Sequence, residues 1–144
     1  MNLIQKMKSN FKKKALITGI SGQDGAYLSE FLLKKGYHVV GGERQNASGS
    51  LWRLKELKIE NKVEIIPFEL LEENNINHVI RTGKFDEIYN LAAQSFVASS
   101  YNTPLFTSNV NALGVGRILE AIRHFSPSTR LYQASTSEMY GNTK

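Results

Sequence analysis

The sequence contains no cysteine. Without thiols, neither a disulfide framework nor a thiolate metal site can form, and the composition fits a reducing cytoplasm. The three histidines, His38, His78 and His124, lie far apart in separate predicted elements and lack the carboxylate spacing of a metal site. The residues therefore predict no bound metal, and solvated or capping roles for the histidines.

Long apolar runs are also missing. None approaches the roughly 20 residues that a membrane-spanning helix needs, and the N-terminus shows no apolar stretch that ends in a small-residue cleavage site. At 144 residues, with 41% hydrophobic and 22% charged residues, the chain has the size and composition of one globular domain. We expect a cytoplasmic protein without a membrane partner.

Positive charge, in contrast, is in excess, with a formal net charge of +5. Its source is a polar leader without helical or strand period, which carries the lysines Lys6, Lys8, Lys12, Lys13 and Lys14. A basic tail contacts phosphates but has no chemistry for reading bases. We therefore expect residues 1–13 to form a basic N-terminal extension with no nucleic-acid partner. An adaptor that binds nucleic acid through this leader is the alternative.

Apolar runs typical of strands alternate with segments of helical period along the rest of the chain. The predicted strands cover 15–18, 37–40, 63–68, 87–92 and 130–134, and the predicted helices cover 26–35, 51–57, 73–81 and a long helix that opens at Pro104. The apolar stripe of the long helix comprises Phe106, Val110, Leu113, Ile118, Leu119 and Ile122. This alternation predicts the α/β class, with a doubly wound parallel sheet of Rossmann-like type and strand order 3-2-1-4-5.

A glycine-rich segment follows the first predicted strand and opens the first helix. Gly19 permits the tight turn, Gly22 lets the backbone approach a pyrophosphate, and Gly25 lets the helix pack closely on the strand. Free N–H groups and the positive end of the helix dipole favour an anion here. Glu43 then stands at the end of the second strand, where an acidic ribose-binding residue or a phosphate-binding arginine is expected. The segment predicts a dinucleotide site, and an ordinary strand-to-helix turn is the alternative.

Three segments carry a resemblance to a known family. The spacing Gly-x-x-Gly-x-x-Gly, within Gly19 to Tyr27, is similar to that of the extended short-chain dehydrogenases/reductases. The segment from Asp86 to Ser95 (Asp-Glu-Ile-Tyr-Asn-Leu-Ala-Ala-Gln-Ser) resembles the fourth-strand motif of the GDP-mannose 4,6-dehydratases within that group. The segment from Tyr132 to Gly141 (Tyr-Gln-Ala-Ser-Thr-Ser-Glu-Met-Tyr-Gly) resembles their fifth-strand motif. Three motifs in the correct order are not expected by chance.

The resemblance implies NADP as the cofactor and assigns residues to its parts. The residues implied in cofactor binding are Gly19, Ile20, Ser21, Gly22, Gln23, Asp24 and Gly25 around the pyrophosphate, Arg44 at the 2′-phosphate, Glu69 and Leu70 near the adenine, Leu91, Ala92, Ala93, Gln94 and Ser95 along the ribose and nicotinamide, and Phe106. Thr136 and Glu138 are implied as catalytic residues, since a positioned Glu can serve as general acid and base. From the residues alone, Glu138 reads equally well as a solvated loop acid.

The chain departs from the family's pattern at three positions. Glu43-Arg44 replaces a pair of adjacent arginines, so that one arginine is left for the 2′-phosphate and Glu43 opposes it. Glu69 stands for an aspartate near the adenine, and Phe106 stands for a cofactor-contacting tyrosine. The sequence therefore favours NADP and leaves NAD as the alternative.

The family's Tyr-x-x-x-Lys pair lies beyond the fifth-strand motif, and the chain ends at Lys144. Tyr140 and Lys144 match the spacing of that pair, but Tyr140 belongs to the Ser-Glu-Met-Tyr-Gly motif and comes too early. We therefore expect residues 14–144 to form a NAD(P)-binding domain that stops before the Tyr-Lys pair and the substrate domain. Alone, such a fragment is expected to be inactive.

The activity that the resemblance implies is that of a nucleotide-sugar 4,6-dehydratase. Such an enzyme converts GDP-mannose to GDP-4-keto-6-deoxymannose by transient oxidation at C4, loss of water across C5 and C6, and return of hydride from tightly bound NADPH. Its substrate partner would be a nucleotide sugar, and the whole enzyme would form homo-oligomers. A dehydratase of another nucleotide hexose, a 4-keto sugar-nucleotide reductase and a non-catalytic NADP-binding module are the alternatives.

Overall fold

A computed structural model describes residues 13–44 and 51–141, except for the side chains of Ser137 and Glu138. The strands are β1 (Lys13–Thr18), β2 (Tyr37–Glu43), β3 (Glu64–Pro67), β4 (Glu87–Asn90) and β5 (Arg130–Gln133). The helices are α1 (Gln23–Lys34), α2 (Trp52–Glu56), α3 (Glu73–Gly83), α4 (Val97–Asn102), α5 (Pro104–Ser108) and α6 (Gly114–Phe125). A π-helical turn, Asn109–Leu113, joins α5 to α6, and a 3₁₀ turn covers Ser137–Tyr140. Most of the basic leader and the polar loop over 45–50 lie outside the described residues.

All five strands are parallel and lie in the order β3-β2-β1-β4-β5. This arrangement confirms the predicted fold class and strand order. At the centre of the sheet, Thr18 at the end of β1 pairs with Gly42 of β2 and Asn90 of β4. Because parallel strands carry their carboxyl ends to the same edge, the loops that follow them meet there, where ligands bind in folds of this type.

Successive residues of the central strand face opposite sides of the sheet, and helices cover each side. Leu16 packs with apolar side chains of α3 and α6, whereas Ala15 and Ile17 pack with those of α1 and α2. All three side chains are fully buried. This double coverage explains why β1 is apolar at successive positions and does not alternate with polar residues.

Strand β1 begins at Lys13, before its apolar run starts. Lys13 and Lys14 pair with Tyr37 and His38 of β2. The ammonium group of Lys13 also lies 3.0 Å from a carboxylate oxygen of Glu87. The two lysines thus belong to the sheet, because a long basic side chain reaches solvent or a carboxylate while its backbone stays in the ladder.

The predicted long helix is interrupted by the π-helical turn. The buried members of its predicted stripe are Val110, Ile118 and Ile122. The prediction is wrong for Leu113 and Leu119, which are 58% and 51% exposed, and for Phe106, which is 42% exposed. The wider π turn shifts the phase of the helix, so simple helical spacing no longer keeps one face inward. Helix α4 has no counterpart in the prediction because it buries no residue and therefore carries no apolar period.

No helix within residues 13–44 and 51–141 combines the length and the apolar content needed to cross a membrane. Over the same ranges, no group of three or more His, Cys, Asp or Glu side chains is placed to hold a metal ion. The ring nitrogen Nε2 of His38 lies 2.9 Å from a carboxylate oxygen of Glu64, and Nε2 of His124 lies 3.5 Å from a carboxylate oxygen of Glu120. His78 lies on α3, so the three histidines occupy separate elements.

A buried carboxylate, that of Glu87, lies at the amino-terminal edge of the sheet. Its side chain is 7% exposed and forms ion pairs with Lys13 and Arg130. The hydroxyl of Tyr89 donates to it at 2.8 Å, and the hydroxyl of Tyr37 donates at 3.4 Å. Burial raises the pKa of Glu87, but its hydrogen-bond donors outweigh burial and lower the pKa to about 2.

We expect Glu87→Gln to lower the free energy of unfolding at neutral pH by about 2 kcal/mol, since the pKa shift corresponds to about 3 kcal/mol and solvent around Arg130 screens part of it. The folded pKa of about 2 lies below the ordinary value of 4.5, so the stabilisation is complete above pH 4.5 and is lost as the pH falls towards 2. Urea denaturation across this pH range should show that the difference in free energy of unfolding between wild type and Glu87→Gln becomes smaller as the pH falls. The control, Glu120→Gln, removes a surface partner of Arg123 and should leave stability unchanged. A difference that is the same at every pH would contradict the prediction.

Candidate functional site

The turn after β1 brings two backbone segments into close contact. Gly19 has a φ of +69°, in the left-handed region that glycine adopts without strain. A Cβ at Gly19 would lie 3.0 Å from the amide nitrogen of Ala92, in the loop after β4. The N–H of Gly22 donates to the carbonyl of Gly19 at 3.0 Å and closes the turn. The loop after β1 therefore lies directly on the loop after β4.

Helix α1 starts directly behind this turn. Gly22 precedes the helix, and no side chain of the described residues caps its first turn. Gln23 and Asp24 are exposed, whereas Gly25 is buried so close to Gly19 that an added Cβ would lie 2.6 Å from the Gly19 carbonyl oxygen. An uncapped helix N-terminus offers N–H donors and a positive dipole end to an anion such as a phosphate.

A cleft of about 480 Å³ follows the edge where the strands end. The predicted cofactor residues that line it are Gly19, Ser21, Gly22, Arg44, Glu69, Leu70, Leu91, Ala92, Ala93, Gln94, Ser95 and Phe106. Gln23, Asp24 and Gly25 lie beside it at the start of α1, and the side chain of Ile20 is fully buried in the core. The structure thus gathers most of the predicted cofactor residues from the loops after β1, β2, β3 and β4, in a cleft of the size that small-molecule sites have.

Opposite charges meet in this cleft where β2 ends. The carboxylate of Glu43 accepts a hydrogen bond from the N–H of Ser21 at 3.3 Å, so it turns towards the glycine loop. Arg44 is exposed and lines the same cleft. In dinucleotide-binding folds, the end of the second strand faces the adenosine ribose. One acidic and one basic side chain therefore flank that position.

The predicted adenine residues lie on the loop after β3. The N–H of Glu69 donates to the side-chain oxygen of Asn75 at 2.9 Å, and the Glu69 carboxylate accepts from the N–H of Leu71 at 3.4 Å. Arg117 of α6 donates to the carbonyl of Leu70 at 3.1 Å. The loop is therefore tied to both α3 and α6, and its place in the cleft wall depends on side chains distant in sequence.

A buried hydrogen-bond network beneath the cleft has no counterpart in the sequence analysis. The hydroxyl of Thr18 donates to the side-chain oxygen of Asn90 at 2.6 Å. The same hydroxyl accepts from the N–H groups of Leu91 at 3.2 Å and Ala92 at 3.1 Å. The Asn90 amide in turn donates to Gln133 at 2.7 Å. The network locks the ends of β1, β4 and β5 together, and its one signal in the sequence is a polar residue at the last position of each strand.

Asn111, in the π-helical turn, is also absent from the residues predicted for the site. Its side-chain oxygen accepts from the N–H of Gln94 at 2.8 Å, and its side-chain NH₂ donates to the Gln94 carbonyl at 2.9 Å. This pair of bonds fixes the loop after β4 against the helix. π-Helical turns occur often at functional sites because they redirect one side chain out of the helical phase.

A second cavity, of about 730 Å³, adjoins the cleft. Residues 92–96 line both spaces, and the second is also lined by Asn111 and Thr136. Ser135, with a φ of +62°, turns the chain between β5 and Thr136, in a conformation that costs a non-glycine residue about 1 kcal/mol and concentrates at functional sites. Thr136 therefore lines the same cavity as Ala92 to Ser95, which are predicted on the nicotinamide side. Glu138 follows in the 3₁₀ turn, and its side chain is outside the described residues.

Known proteins are similar in sequence to this chain from β1 onwards. A family model described as GDP-mannose 4,6 dehydratase matches residues 16–144. The chain belongs to the GDP-mannose 4,6-dehydratase family. This membership confirms the resemblance carried by the three motifs.

Members of the GDP-mannose 4,6-dehydratase family from distant organisms are similar to the chain. The GDP-mannose 4,6-dehydratase of Vibrio cholerae is 46% identical in an alignment of length 137 that covers 90% of this chain and 37% of that protein. GDP-mannose 4,6 dehydratase 2 of Arabidopsis thaliana is 42% identical in an alignment of length 142 that covers 92% of this chain and 38% of that protein. The chain thus spans 37–38% of the length of these two relatives.

Solved structures share the fold of this family member. The UDP-glucose 4-epimerase of Thermotoga maritima, solved with UDP-glucose, has a TM-score of 0.77 at 23% identity, over 91% of this chain and 41% of that one. The dTDP-glucose 4,6-dehydratase of Bacillus anthracis, solved with NAD, has a TM-score of 0.73 at 24% identity, over 92% of this chain and 40% of that one. These likenesses establish the Rossmann-like fold.

Proposed function

We propose that this chain is the dinucleotide-binding part of a GDP-mannose 4,6-dehydratase. The observation that carries the proposal is the junction of the two cavities, since residues 92–96 line both the cleft and the space beside Thr136. A dinucleotide in the cleft would therefore lie against a sugar in the second cavity. Residues 14–144 would supply the dinucleotide-binding part of the enzyme, and the rest of the protein would supply the Tyr-x-x-x-Lys pair and most of the sugar-binding surface.

The cleft fits the chemistry of NADP. A pyrophosphate needs backbone N–H donors and close approach, and the uncapped start of α1 behind Gly22 offers both. Gly19 leaves no side chain between this start and the loop after β4. When bound, NADP supplies a centre that accepts a hydride and returns it.

Two side chains of this part of the enzyme are proposed to act on the sugar. The Thr136 hydroxyl would donate a hydrogen bond to the oxygen on C4 and so hold the sugar in register. Glu138 would take the proton from C5 and protonate the departing C6 hydroxyl, as a general base and then a general acid. Asn111 would contribute indirectly, because its bonds to Gln94 fix the wall between sugar and dinucleotide.

The test uses the full-length enzyme with GDP-mannose and NADP⁺. We expect GDP-4-keto-6-deoxymannose to form without net reduction of the cofactor, which mass spectrometry and absorbance would measure. Glu138→Gln should still bind NADP⁺ but form no product. Turnover of a different nucleotide hexose would overturn the mannose assignment. Consumption of NADPH with a 4-keto sugar, without dehydration, would indicate a reductase.

We propose NADP as the preferred cofactor over NAD. Arg44 would make a charge-assisted contact with the 2′-phosphate worth about 1.5–3 kcal/mol, and Glu43 would oppose the same phosphate. Arg44→Ala should therefore weaken NADP⁺ binding about 10- to 100-fold and leave NAD⁺ binding nearly unchanged. Glu43→Gln should strengthen NADP⁺ binding, since it removes a like charge. Calorimetric titration would measure both. Equal wild-type affinities for the two cofactors, unchanged by Arg44→Ala, would show that Arg44 is only a solvated strand-end residue.

A further inference from the structure

A second arginine approaches the glycine loop from α2. Arg53 is half-buried, and one of its terminal nitrogens, Nη1, donates to the carbonyl oxygen of Ser21 at 3.0 Å. Its guanidinium also lies over the indole ring of Trp52, 4.4 Å from the ring centroid. Helix α2 is itself anchored, because Leu54 is fully buried in the core. The guanidinium is therefore held in place by the loop, the ring and the helix that carries it.

The backbone of Ser21 forms hydrogen bonds with two side chains of opposite charge. Its carbonyl accepts from Arg53 at 3.0 Å, and its N–H donates to the carboxylate of Glu43 at 3.3 Å. Ser21 and Glu43 both line the cleft at the end of β2, on the side where the adenosine ribose is held in this fold. Arg53 is thus bonded to a residue that lines the ribose end of the cleft, although its sequence position, in a separate helix, gives no sign of this contact.

Arg53 has the chemistry to recognise a phosphate at this point. A guanidinium has five N–H donors in one plane, and within residues 13–44 and 51–141 the one bond to Ser21 leaves most of that fork for an anion. The guanidinium also makes a cation–π contact with Trp52, with its central carbon 4.4 Å from the ring centroid. This contact restricts the side chain, so less conformational entropy is lost when a phosphate binds.

We propose that Arg53 is a specificity-determining residue that recognises a phosphomonoester on the adenosine ribose. Its positive charge offsets the carboxylate of Glu43, which would otherwise cancel the attraction of Arg44 for the same group. The inference rests on the proposed dinucleotide function and adds to it a second cation for the 2′-phosphate. Discrimination between NADP and NAD is thereby shared between the end of β2 and α2.

The test measures the affinities of NADP⁺ and NAD⁺ for wild type, Arg53→Ala, Arg53→Lys and Lys55→Ala by calorimetry, with 2′,5′-ADP and 5′-ADP as probes that lack the nicotinamide. Arg53→Ala should weaken NADP⁺ and 2′,5′-ADP about 10- to 100-fold, because a charge-assisted contact is lost, and should leave NAD⁺ and 5′-ADP within about threefold. Arg53→Lys keeps the positive charge but lacks the planar set of N–H donors. Its affinity for NADP⁺ and 2′,5′-ADP should therefore fall between those of wild type and Arg53→Ala. Lys55→Ala removes an exposed positive charge from the same helix and should match wild type.

Two results would overturn the inference. Equal weakening of the phosphorylated and unphosphorylated ligands would make Arg53 a support for the loop only, and unchanged affinities would make it a solvated residue. If circular dichroism shows that Arg53→Ala does not fold, the ratio of the NADP⁺ affinity to the NAD⁺ affinity of Arg53→Lys decides the question in the same way. A full-length enzyme that discriminates through Arg53 but forms no keto sugar would refute the proposed activity alone, whereas a full-length enzyme that binds neither dinucleotide would refute both proposals.

Discussion

Gly25→Ala is expected to abolish tight dinucleotide binding and to lower the free energy of unfolding by about 2 to 3 kcal/mol. The added Cβ would lie 2.6 Å from the carbonyl oxygen of Gly19 and 2.8 Å from the Cα of Ile20. Both atoms belong to the backbone, so no rotation of a side chain can relieve the contact. Relief requires α1 to move away from the turn, and the N–H groups at its start would then leave the place where a pyrophosphate binds.

The measurement pairs cofactor titration with chemical denaturation. Affinity for NADP⁺ and NAD⁺ should fall together, by about 30- to 150-fold if the roughly 2 to 3 kcal/mol of strain is relieved at the site. The control is Gly116→Ala in α6, where a Cβ would meet nothing within 4 Å. This substitution should keep affinity and raise stability by up to about 1 kcal/mol, because alanine favours helix. Wild-type affinity in Gly25→Ala would refute the close packing of α1 on the turn.

Thr18→Val is expected to cost about 3 to 5 kcal/mol of stability, since it leaves several buried polar groups without a partner. Valine has nearly the shape of threonine, so the change isolates the hydroxyl. That hydroxyl bonds the Asn90 side chain at 2.6 Å and the Ala92 amide at 3.1 Å, and both Thr18 and Asn90 are at most 1% exposed. Cofactor affinity should fall as well, because the loop that contacts Gly19 loses its anchor.

Thermal and urea denaturation would measure this effect, with two comparisons. Thr18→Ser keeps the hydroxyl and should retain most of the stability and affinity. Thr82→Val removes an exposed hydroxyl that donates to the carbonyl of His78 at 2.7 Å, and should change stability little. If Thr18→Val were as stable as Thr82→Val, the network would not be what holds the ends of β1 and β4 together.

The fold could be predicted from the sequence because its signals are local. Strands such as β1 are covered on both faces and read as apolar runs, and a glycine with a φ of +81°, Gly36, follows the end of α1. The prediction failed where a local pattern was altered by its surroundings. Lys13 belongs to β1, where its ammonium group forms an ion pair with the carboxylate of Glu87. Leu113 is exposed because the π-helical turn breaks the helical phase.

The residues of the candidate site also fall into two groups, those marked by a local motif and those that depend on distant contacts. Residues of the glycine loop and of the segment after β4 could be predicted, since each stands within one continuous motif. Thr18, Asn111 and Arg53 could not, because each is linked to the cleft by a bond to a residue at least seventeen positions away. Such contacts arise from the strand order and the helix phase, which no single segment of sequence contains.

The segment 92–96 lines both cavities and is bonded through Gln94 to Asn111, so ligands in the two spaces would contact the same piece of backbone. A ligand that orders this segment lowers the entropy that a ligand on its other side must lose. The coupling free energy between the two ligands is one quantity, so a sugar that tightens the dinucleotide is itself tightened by the same factor. In the dehydratase proposed above, which would keep its reduced cofactor until the sugar takes the hydride back, such reciprocity would hold both reactants together between the two transfers.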